Sequence, residues 1–193
     1  MMSEDEWWIV SNYASTKTTE ICTPVSCQKY VDLPRDMTNP SVVKINSTSY
    51  FIYDDGDAWI FNNITETFEV LPDSISDHEN AQAGLVNYPD GRRYIFVSGG
   101  ESSYKTERFN LDDPDSFWTY GPDLPYSVHF GSVLQYEDSF LIVGGQNDTY
   151  ADYDTILRFD TEKDEWEILP VEMKSGRNSF PAFFIPEGYI YCQ

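Results

Sequence analysis

The sequence contains few basic residues for its length. Its 193 residues include 12 Lys and Arg against 33 Asp and Glu, which gives a formal net charge of −21. A field of this sign repels phosphate backbones and anionic lipid surfaces, so we expect no nucleic-acid partner and no docking on a membrane. The same charge keeps a chain soluble, and it also suits a cationic protein partner. Both interpretations stay open from the sequence.

Long apolar runs and long runs of helix-forming residues are also missing. No stretch approaches the ~20 apolar residues of a membrane span, so we expect no membrane insertion. The start of the chain carries acidic residues where a signal peptide carries basic ones. Aromatic residues make up 16% of the chain, and such residues fit pleated surfaces. The composition predicts an all-β fold, and the length allows one domain or two small ones; the repeats described below favour a single domain over residues 1–193.

Cysteine is scarce, with three residues in the chain. Cys22 and Cys27 are candidates for a disulfide between neighbouring strands, with two reduced thiols as the alternative. Three glycosylation sequons begin at Asn46, Asn63 and Asn147, each in a predicted turn. These features favour a secreted protein whose N-terminus is truncated. The acidic start favours a cytoplasmic protein if the chain is complete, so the compartment stays open.

Histidine is scarce too, with only His78 and His129. A metal site needs more ligands at local spacing, so we expect no bound metal and no cofactor. The segment Gly99–Thr106 approaches the pattern of a phosphate-binding loop, but Tyr104 stands where the second glycine is required. No catalytic set is recognisable from a local motif, although such sets are assembled in space.

What the sequence does contain is an internal repeat. Gly99-Gly100 and Gly144-Gly145 each follow an apolar run, and they lie 45 residues apart. A second marker, an aromatic residue followed by Leu-Pro, occurs four times in the same phase, ending at Pro34, Pro72, Pro125 and Pro170. The markers predict repeats over residues 7–46, 50–88, 92–136 and 139–185, with a final strand at 189–193.

Each repeat is predicted to supply four antiparallel strands. After each Leu-Pro comes one more strand, which forms a hairpin with the next apolar run. These strands are predicted over residues 41–46, 81–88, 130–136 and 179–185. A four-stranded sheet cannot bury both faces alone, so neighbouring copies must stack, and sheets repeated around an axis form a β-propeller.

The repeats resemble kelch repeats. The copy from Ser139 to Pro170 carries every part of that unit, and the copy from Arg92 to Pro125 carries the same parts; the first two copies replace the double glycine by Ser11-Asn12 and Asp54-Asp55. The resemblance implies a kelch-type β-propeller of about four four-stranded blades. Such propellers commonly have six blades, so the chain is either an open arc of a larger propeller or a small closed ring.

We expect the repeat markers themselves to be structural. Blades crowd together at their inner ends, where a residue without Cβ permits close approach and a positive φ. The aromatic residue is expected to pack between blades. The residues assigned this structural role are Gly99, Gly100, Trp118, Gly144, Gly145 and Trp166.

The resemblance implies that one face of the propeller binds a partner through two sets of loops. The residues carried onto this face are Glu101, Ser103, Tyr126, Ser127, His129, Gln146, Asn147, Arg177 and Asn178, with Gln146-Asn147-Asp148 and its neighbouring loops at the centre. Each is otherwise an ordinary solvated loop residue. We predict a non-catalytic protein-interaction scaffold. The alternative is a kelch-like enzyme of oxidase, epimerase or lyase type, with its site at the central channel.

Overall fold

The computed structural model describes residues 7–10 and 17–184. Within these ranges the chain forms fifteen β-strands and no α-helix. The strands make four antiparallel sheets, of which the first has three strands and the others four. In this part of the chain, no helix has the length and apolar content needed to cross a membrane.

The strands occur in sequence order within each sheet. The first sheet contains β1 (Trp7–Val10), β2 (Thr19–Cys22) and β3 (Cys27–Lys29). The second contains β4 (Ser41–Lys44), β5 (Ser49–Asp54), β6 (Asp57–Asn62) and β7 (Thr67–Val70). The third contains β8 (Gln82–Asn87), β9 (Arg93–Ser98), β10 (Thr106–Asn110) and β11 (Thr119–Tyr120). The fourth contains β12 (Ser132–Tyr136), β13 (Ser139–Val143), β14 (Ile156–Asp160) and β15 (Glu165–Ile168).

Each four-stranded sheet begins with the strand that follows a Leu-Pro pair. That strand pairs with the apolar strand after it, as β4 with β5, β8 with β9 and β12 with β13. The hairpins therefore join the end of one sequence repeat to the start of the next. The sheets are shifted by one strand relative to the repeats predicted from the sequence.

The core lies between successive sheets. One apolar cluster joins the first and second sheets around Trp59 and Phe61, a second joins the second and third around Phe51 and Val97, and a third joins the third and fourth around Phe140. Strand β13 is buried along its whole length, as its continuous apolar run predicts. The prediction of an all-β fold of stacked antiparallel sheets is confirmed.

The tryptophans at the Leu-Pro markers contact the preceding sheet. The Trp118 ring lies 6.1 Å from the Phe51 ring of the second sheet, and its Nε1 donates to Pro72 O at 2.7 Å. Trp166 Nε1 donates to Thr106 Oγ1 of the third sheet at 3.2 Å. Each indole thus closes a junction between two sheets.

The segment after the fourth sheet differs from the prediction. A strand was predicted over residues 179–185, but residues 179–184 form none. Phe180 instead lies beside Gly144, and the Phe184 ring lies 5.6 Å from that of Tyr136. Pro181 has no N–H to donate, which weakens a strand here. The predicted strand at 189–193 and the Ser11-Asn12 pair lie outside the described residues.

Cys22 and Cys27 form a disulfide in the first sheet. They are paired directly across β2 and β3, with their Cα atoms 4.0 Å apart. A covalent bond between these two strands holds the outer edge of that sheet together.

Candidate functional site

One end of the stacked sheets carries the loops that the sequence assigns to binding. Successive connections in an antiparallel meander lie at alternate ends of the sheet. The loops between second and third strands therefore share an end with the loops that enter each first strand. We call this end the loop face; its loops cover residues 30–40, 55–56, 71–81, 99–105, 121–131, 144–155 and 169–178.

The double glycines let the loops of neighbouring sheets close on each other. All four of these glycines have positive φ, between 63° and 113°. A Cβ on Gly99 would lie 2.3 Å from Val128 O, and one on Gly144 would lie 2.4 Å from Arg177 O. Any side chain would push these backbone segments apart, so glycine is required at both positions for the loops to pack this closely.

Asp148 joins two loops of the loop face. Its Oδ1 accepts a hydrogen bond from Ser102 N at 3.0 Å, and its Oδ2 accepts one from Ser127 Oγ at 3.2 Å. The three residues belong to three different loops. This carboxylate therefore fixes the loop after β13 against the third sheet.

Asp152 makes a corresponding connection on the other side of the same loop. Its Oδ1 accepts from Gln146 Nε2 at 3.0 Å and from Asn178 Nδ2 at 2.7 Å. Gln146 also exchanges two backbone hydrogen bonds with His129. Asp152 carried no signal in the sequence, because its two partners lie 6 and 26 residues away.

Asn147 organises the loop between these two carboxylates. Its Oδ1 accepts from Thr149 N at 2.9 Å, from Thr149 Oγ1 at 2.8 Å and from Ala151 N at 3.0 Å. The structure thus brings four predicted binding residues together: Ser127, Gln146, Asn147 and Asn178. Their polar groups are used to build the loop face rather than left open to solvent.

Two further candidates are held inside the face. His129 is buried, and its Nδ1 has no hydrogen-bond partner among the residues that the structure describes. Tyr126 is half-buried, stacks on Tyr153 with ring centroids 4.4 Å apart, and hydrogen-bonds Thr155 through its hydroxyl. Burial raises the pKa of Tyr126 and of Tyr153. These phenols are neutral over the whole physiological range.

The remaining candidates lie at the rim. Glu101 is exposed, and its backbone N donates to Glu79 O at 2.8 Å. Ser103 Oγ accepts from Lys105 N at 3.2 Å. The exposed Arg177 places its guanidinium 5.8 Å from the Phe180 ring centroid. The structure does not bring these three side chains into one site.

A repeated backbone turn surrounds the entry to the first strands. Asn39, Asn80 and Phe130 each lie two residues before a first strand and have φ between 55° and 57°. Ser179, at the equivalent place in the next repeat, has φ 50°, although no strand follows it among residues 180–184. Phe130 N donates to Asn80 O at 3.2 Å, and Ser179 N donates to Phe130 O at 3.0 Å. A line of backbone hydrogen bonds therefore runs from one sheet to the next at this level.

A cleft of about 560 Å³ opens beside this turn. Its lining is polar apart from one aromatic ring, and consists of Arg35, Asp36, Thr38, Asn39, Asp54, Asp55, Glu79, Asn80 and Phe130. Three of its four carboxylates, those of Asp36, Asp55 and Glu79, make no ion pair with any described residue. The cleft is therefore an acidic surface with an aromatic wall.

Arg35 does not neutralise this surface. Its guanidinium forms ion pairs with Asp54 Oδ2 at 2.9 Å and with Asp57 Oδ2 at 2.6 Å, and it donates to Asp54 O at 2.5 Å. Burial raises the pKa of Asp54, and the Arg35 charge offsets part of that rise. The guanidinium of Arg35 is therefore already bound to two carboxylates, of which only Asp54 belongs to the pair that replaces the double glycine in the second sheet.

A buried histidine–carboxylate contact lies behind the loop face. His78 Nδ1 donates to Gly99 O at 2.6 Å, and His78 Nε2 lies 3.1 Å from Glu107 Oε1. Gly99 O is a backbone carbonyl and accepts only, so Nδ1 carries the proton of this hydrogen bond. Glu107 also accepts from Ile75 N and Ser76 N at 2.7 and 2.8 Å. The pair is fully enclosed and supports the third sheet's double glycine.

The described residues offer one group with metal-ligand chemistry. Glu20, Cys22 and Cys27 place a ligand atom each within 4.8 Å of one another. The two sulfur atoms are joined in the disulfide, so they are not thiolates and do not fit a metal ion. This group belongs to the first sheet and not to the loop face.

Comparison with known proteins identifies the architecture. No family model matches the chain, and no curated protein matches it. Among solved structures 161 chains match, and one of them, titled "Structure of YjhT", superimposes with a TM-score of 0.68 at 12% identity over 92% of this chain. The fold is propeller-like and all-β. This chain spans 66% of the length of that protein, just under two thirds.

The arrangement of the sheets shows where the acidic cleft lies in the fold. First strands of neighbouring sheets contact each other, β4 with β8 and β8 with β12, so they are the innermost strands. A second cleft of about 350 Å³ continues along their starts and shares Asn39, Asn80 and Phe130 with the acidic one. The acidic cleft therefore lies at the mouth of the space between the innermost strands.

Proposed function

We propose that this chain is a kelch-type propeller that acts as a non-catalytic binding module, and that its loop face takes a basic segment of a protein partner. The observation that carries this proposal is the acidic cleft, in which the carboxylates of Asp36, Asp55 and Glu79 form no ion pair with the described residues. A fold-level likeness alone leaves a binding module and an enzyme equally open.

The chemistry of the cleft suits a Lys or Arg side chain. Carboxylates accept charge-assisted hydrogen bonds from ammonium and guanidinium groups. Phe130 supplies an aromatic wall, and a cation over such a ring gains on the order of 0.5–2 kcal/mol. The net charge of −21 adds a long-range attraction for a basic partner.

The surroundings of the cleft suit a protein partner rather than a small molecule. The cleft is open and polar, whereas small-molecule sites are enclosed and mostly apolar. Tyr150 and Tyr104, on loops of the same face, are 72% and 47% exposed. Exposed tyrosines on rigid loops are common anchors in protein interfaces.

The test uses peptide binding to the full chain. The probe is a fluorescent 12-residue peptide rich in Lys and Arg, with a Glu-rich peptide of equal length as its counterpart. We expect saturable binding of the basic peptide only, weakened at least tenfold by Asp55→Asn with Glu79→Gln. The matched control is Asp113→Asn with Asp115→Asn, which removes the same charge from the turn before β11 at the opposite end. Equal weakening in both double variants, or no saturable binding, would refute the proposal.

The enzyme alternative requires groups that the cleft does not combine. Of the two histidines, His78 is enclosed by Glu107 and Gly99, and His129 is buried. Metal analysis of purified protein addresses this alternative directly. A stoichiometric transition metal would contradict the non-catalytic assignment.

A further inference from the structure

The three glycosylation sequons differ sharply in their surroundings. Asn63, which follows β6, is 5% exposed, and both polar atoms of its side chain are buried with no hydrogen-bond partner in the described part of the chain. A glycan on this nitrogen would have to pass through packed protein. The burial of Asn63 in the folded protein therefore excludes it as a glycosylation site.

Asn147 is half-buried and fully engaged. Its Oδ1 holds the loop after β13 through three hydrogen bonds, and its side chain also hydrogen-bonds the Tyr153 phenol. It belongs to the loop face. A glycan here would break the loop and cover the surface proposed to bind a partner.

Asn46 is exposed on the turn between β4 and β5. Its Oδ1 accepts from Thr48 N at 2.8 Å, from Thr48 Oγ1 at 3.1 Å and from Ser49 N at 2.9 Å. The turn thus orients the amide through its oxygen and leaves Nδ2 without a partner among the described residues. The sequon hydroxyl is already bonded to the amide that would react.

We propose that Asn46 is the N-glycosylation site of this protein. The co-reactant is a lipid-linked oligosaccharide diphosphate. The bond between its anomeric carbon and the phosphate oxygen breaks, and a bond from that carbon to Asn46 Nδ2 forms. Nδ2 loses one proton, and the lipid diphosphate leaves.

Two further features agree with this assignment. The turn lies at the opposite end of the second sheet from the loop face, so a glycan there leaves the acidic cleft open. The disulfide between Cys22 and Cys27 is typical of the oxidising compartments in which this transfer takes place. Asn46 is thus the sequon at which modification and partner binding are compatible.

The test expresses the full chain behind a secretory leader in eukaryotic cells. Secreted protein is treated with a glycosidase that converts the glycosylated Asn to Asp, and its mobility and peptide masses are measured. We expect a mobility shift that is lost in Asn46→Gln and Thr48→Ala. Thr48→Ser should keep the shift, because the sequon and its hydroxyl remain.

Asn63→Gln is the matched control and should leave the shift unchanged. Peptide masses identify the occupied residue even where a variant is secreted poorly. A shift that persists in full in Asn46→Gln would overturn the proposal, as would conversion to Asp at residue 63.

Discussion

Gly84 lies at a close contact between the third and fourth sheets. It belongs to β8, the innermost strand of the third sheet, and the Phe140 ring of the fourth sheet rests directly on it. A Cβ at residue 84 would lie 2.2 Å from Phe140 Cγ and 2.3 Å from Cδ1. Carbon atoms prefer separations of about 3.5–4.0 Å, so Gly84→Ala forces the ring to move by more than about 1 Å.

The ring has little room to move. Phe140 is fully buried, and the Trp166 ring packs edge-on against it with centroids 5.3 Å apart. Overpacking of this kind typically costs about 1–3 kcal/mol. Ala also has a lower backbone entropy than Gly in the unfolded chain, which offsets about 0.5–1 kcal/mol of this steric cost. We expect Gly84→Ala to lower the free energy of unfolding by about 1–2 kcal/mol.

Urea unfolding followed by tryptophan fluorescence measures this change. A double-mutant cycle combines Gly84→Ala with Phe140→Leu. In the double variant, the smaller side chain at residue 140 makes space for the new methyl group. The double variant should be more stable than the sum of the single effects predicts, by about 1 kcal/mol or more. Gly121→Ala is the matched control, because its Cβ would lie no closer than 3.2 Å to the Thr106 side chain. Additive effects in the cycle, or a loss in Gly84→Ala no larger than in Gly121→Ala, would refute the steric explanation.

Three further predictions concern single groups. Burial raises the pKa of Glu107, but hydrogen bonds from His78, Ile75 N and Ser76 N outweigh burial, so its pKa lies below the usual 4.5. The ionised Glu107 therefore stabilises the folded state above pH 4.5, and this stabilisation is lost as the pH falls below that value. Glu107→Gln should lower the free energy of unfolding by about 3–5 kcal/mol at pH 7. The urea midpoint of this variant should also fall less steeply with decreasing pH below 4.5 than that of the wild type. Trp118→Phe should cost about 2–3 kcal/mol, since Pro72 O loses its donor, whereas Trp7→Phe, at a 53% exposed site, should stay within about 0.5 kcal/mol of wild type. Cys27→Ser should cost about 2 kcal/mol, because the bridged residues are only 5 apart, and a reductant should destabilise the wild type but not the variant.

The sequence predicted features whose causes are local. The apolar run Ser139–Val143 specifies a buried strand by itself, and the turns on either side specify its hairpin partners. The double glycines mark the places where the next loop approaches, although Val128 and Arg177, which approach them, are not marked. Fold class follows from such patterns because each repeat supplies the same signal again.

The contacts that define the candidate site are non-local and could not be predicted. Asp152 looks like any other acidic loop residue until Asn178 is brought beside it. Gly84 sits in an ordinary apolar strand, and nothing in that strand identifies Phe140 as its neighbour. The predicted strand at 179–185 failed for the same reason, since the contacts of Phe180 and Phe184 with the fourth sheet are absent from the local pattern.

The turn that repeats at the mouth of the cleft keeps one backbone conformation while its side chains differ. The backbone takes the same left-handed conformation at Asn39, Asn80, Phe130 and Ser179, although the four side chains differ. The residue just before each of them is again different, namely Thr38, Glu79, His129 and Asn178. A conserved backbone conformation with variable side chains means that the cleft's chemistry can change without changing how the sheets are joined. Glu79→Gln should therefore weaken binding of a basic peptide while leaving the free energy of unfolding in urea within about 0.5 kcal/mol of wild type. A large loss of stability in that variant would show that the carboxylate supports the turn and is not free to bind.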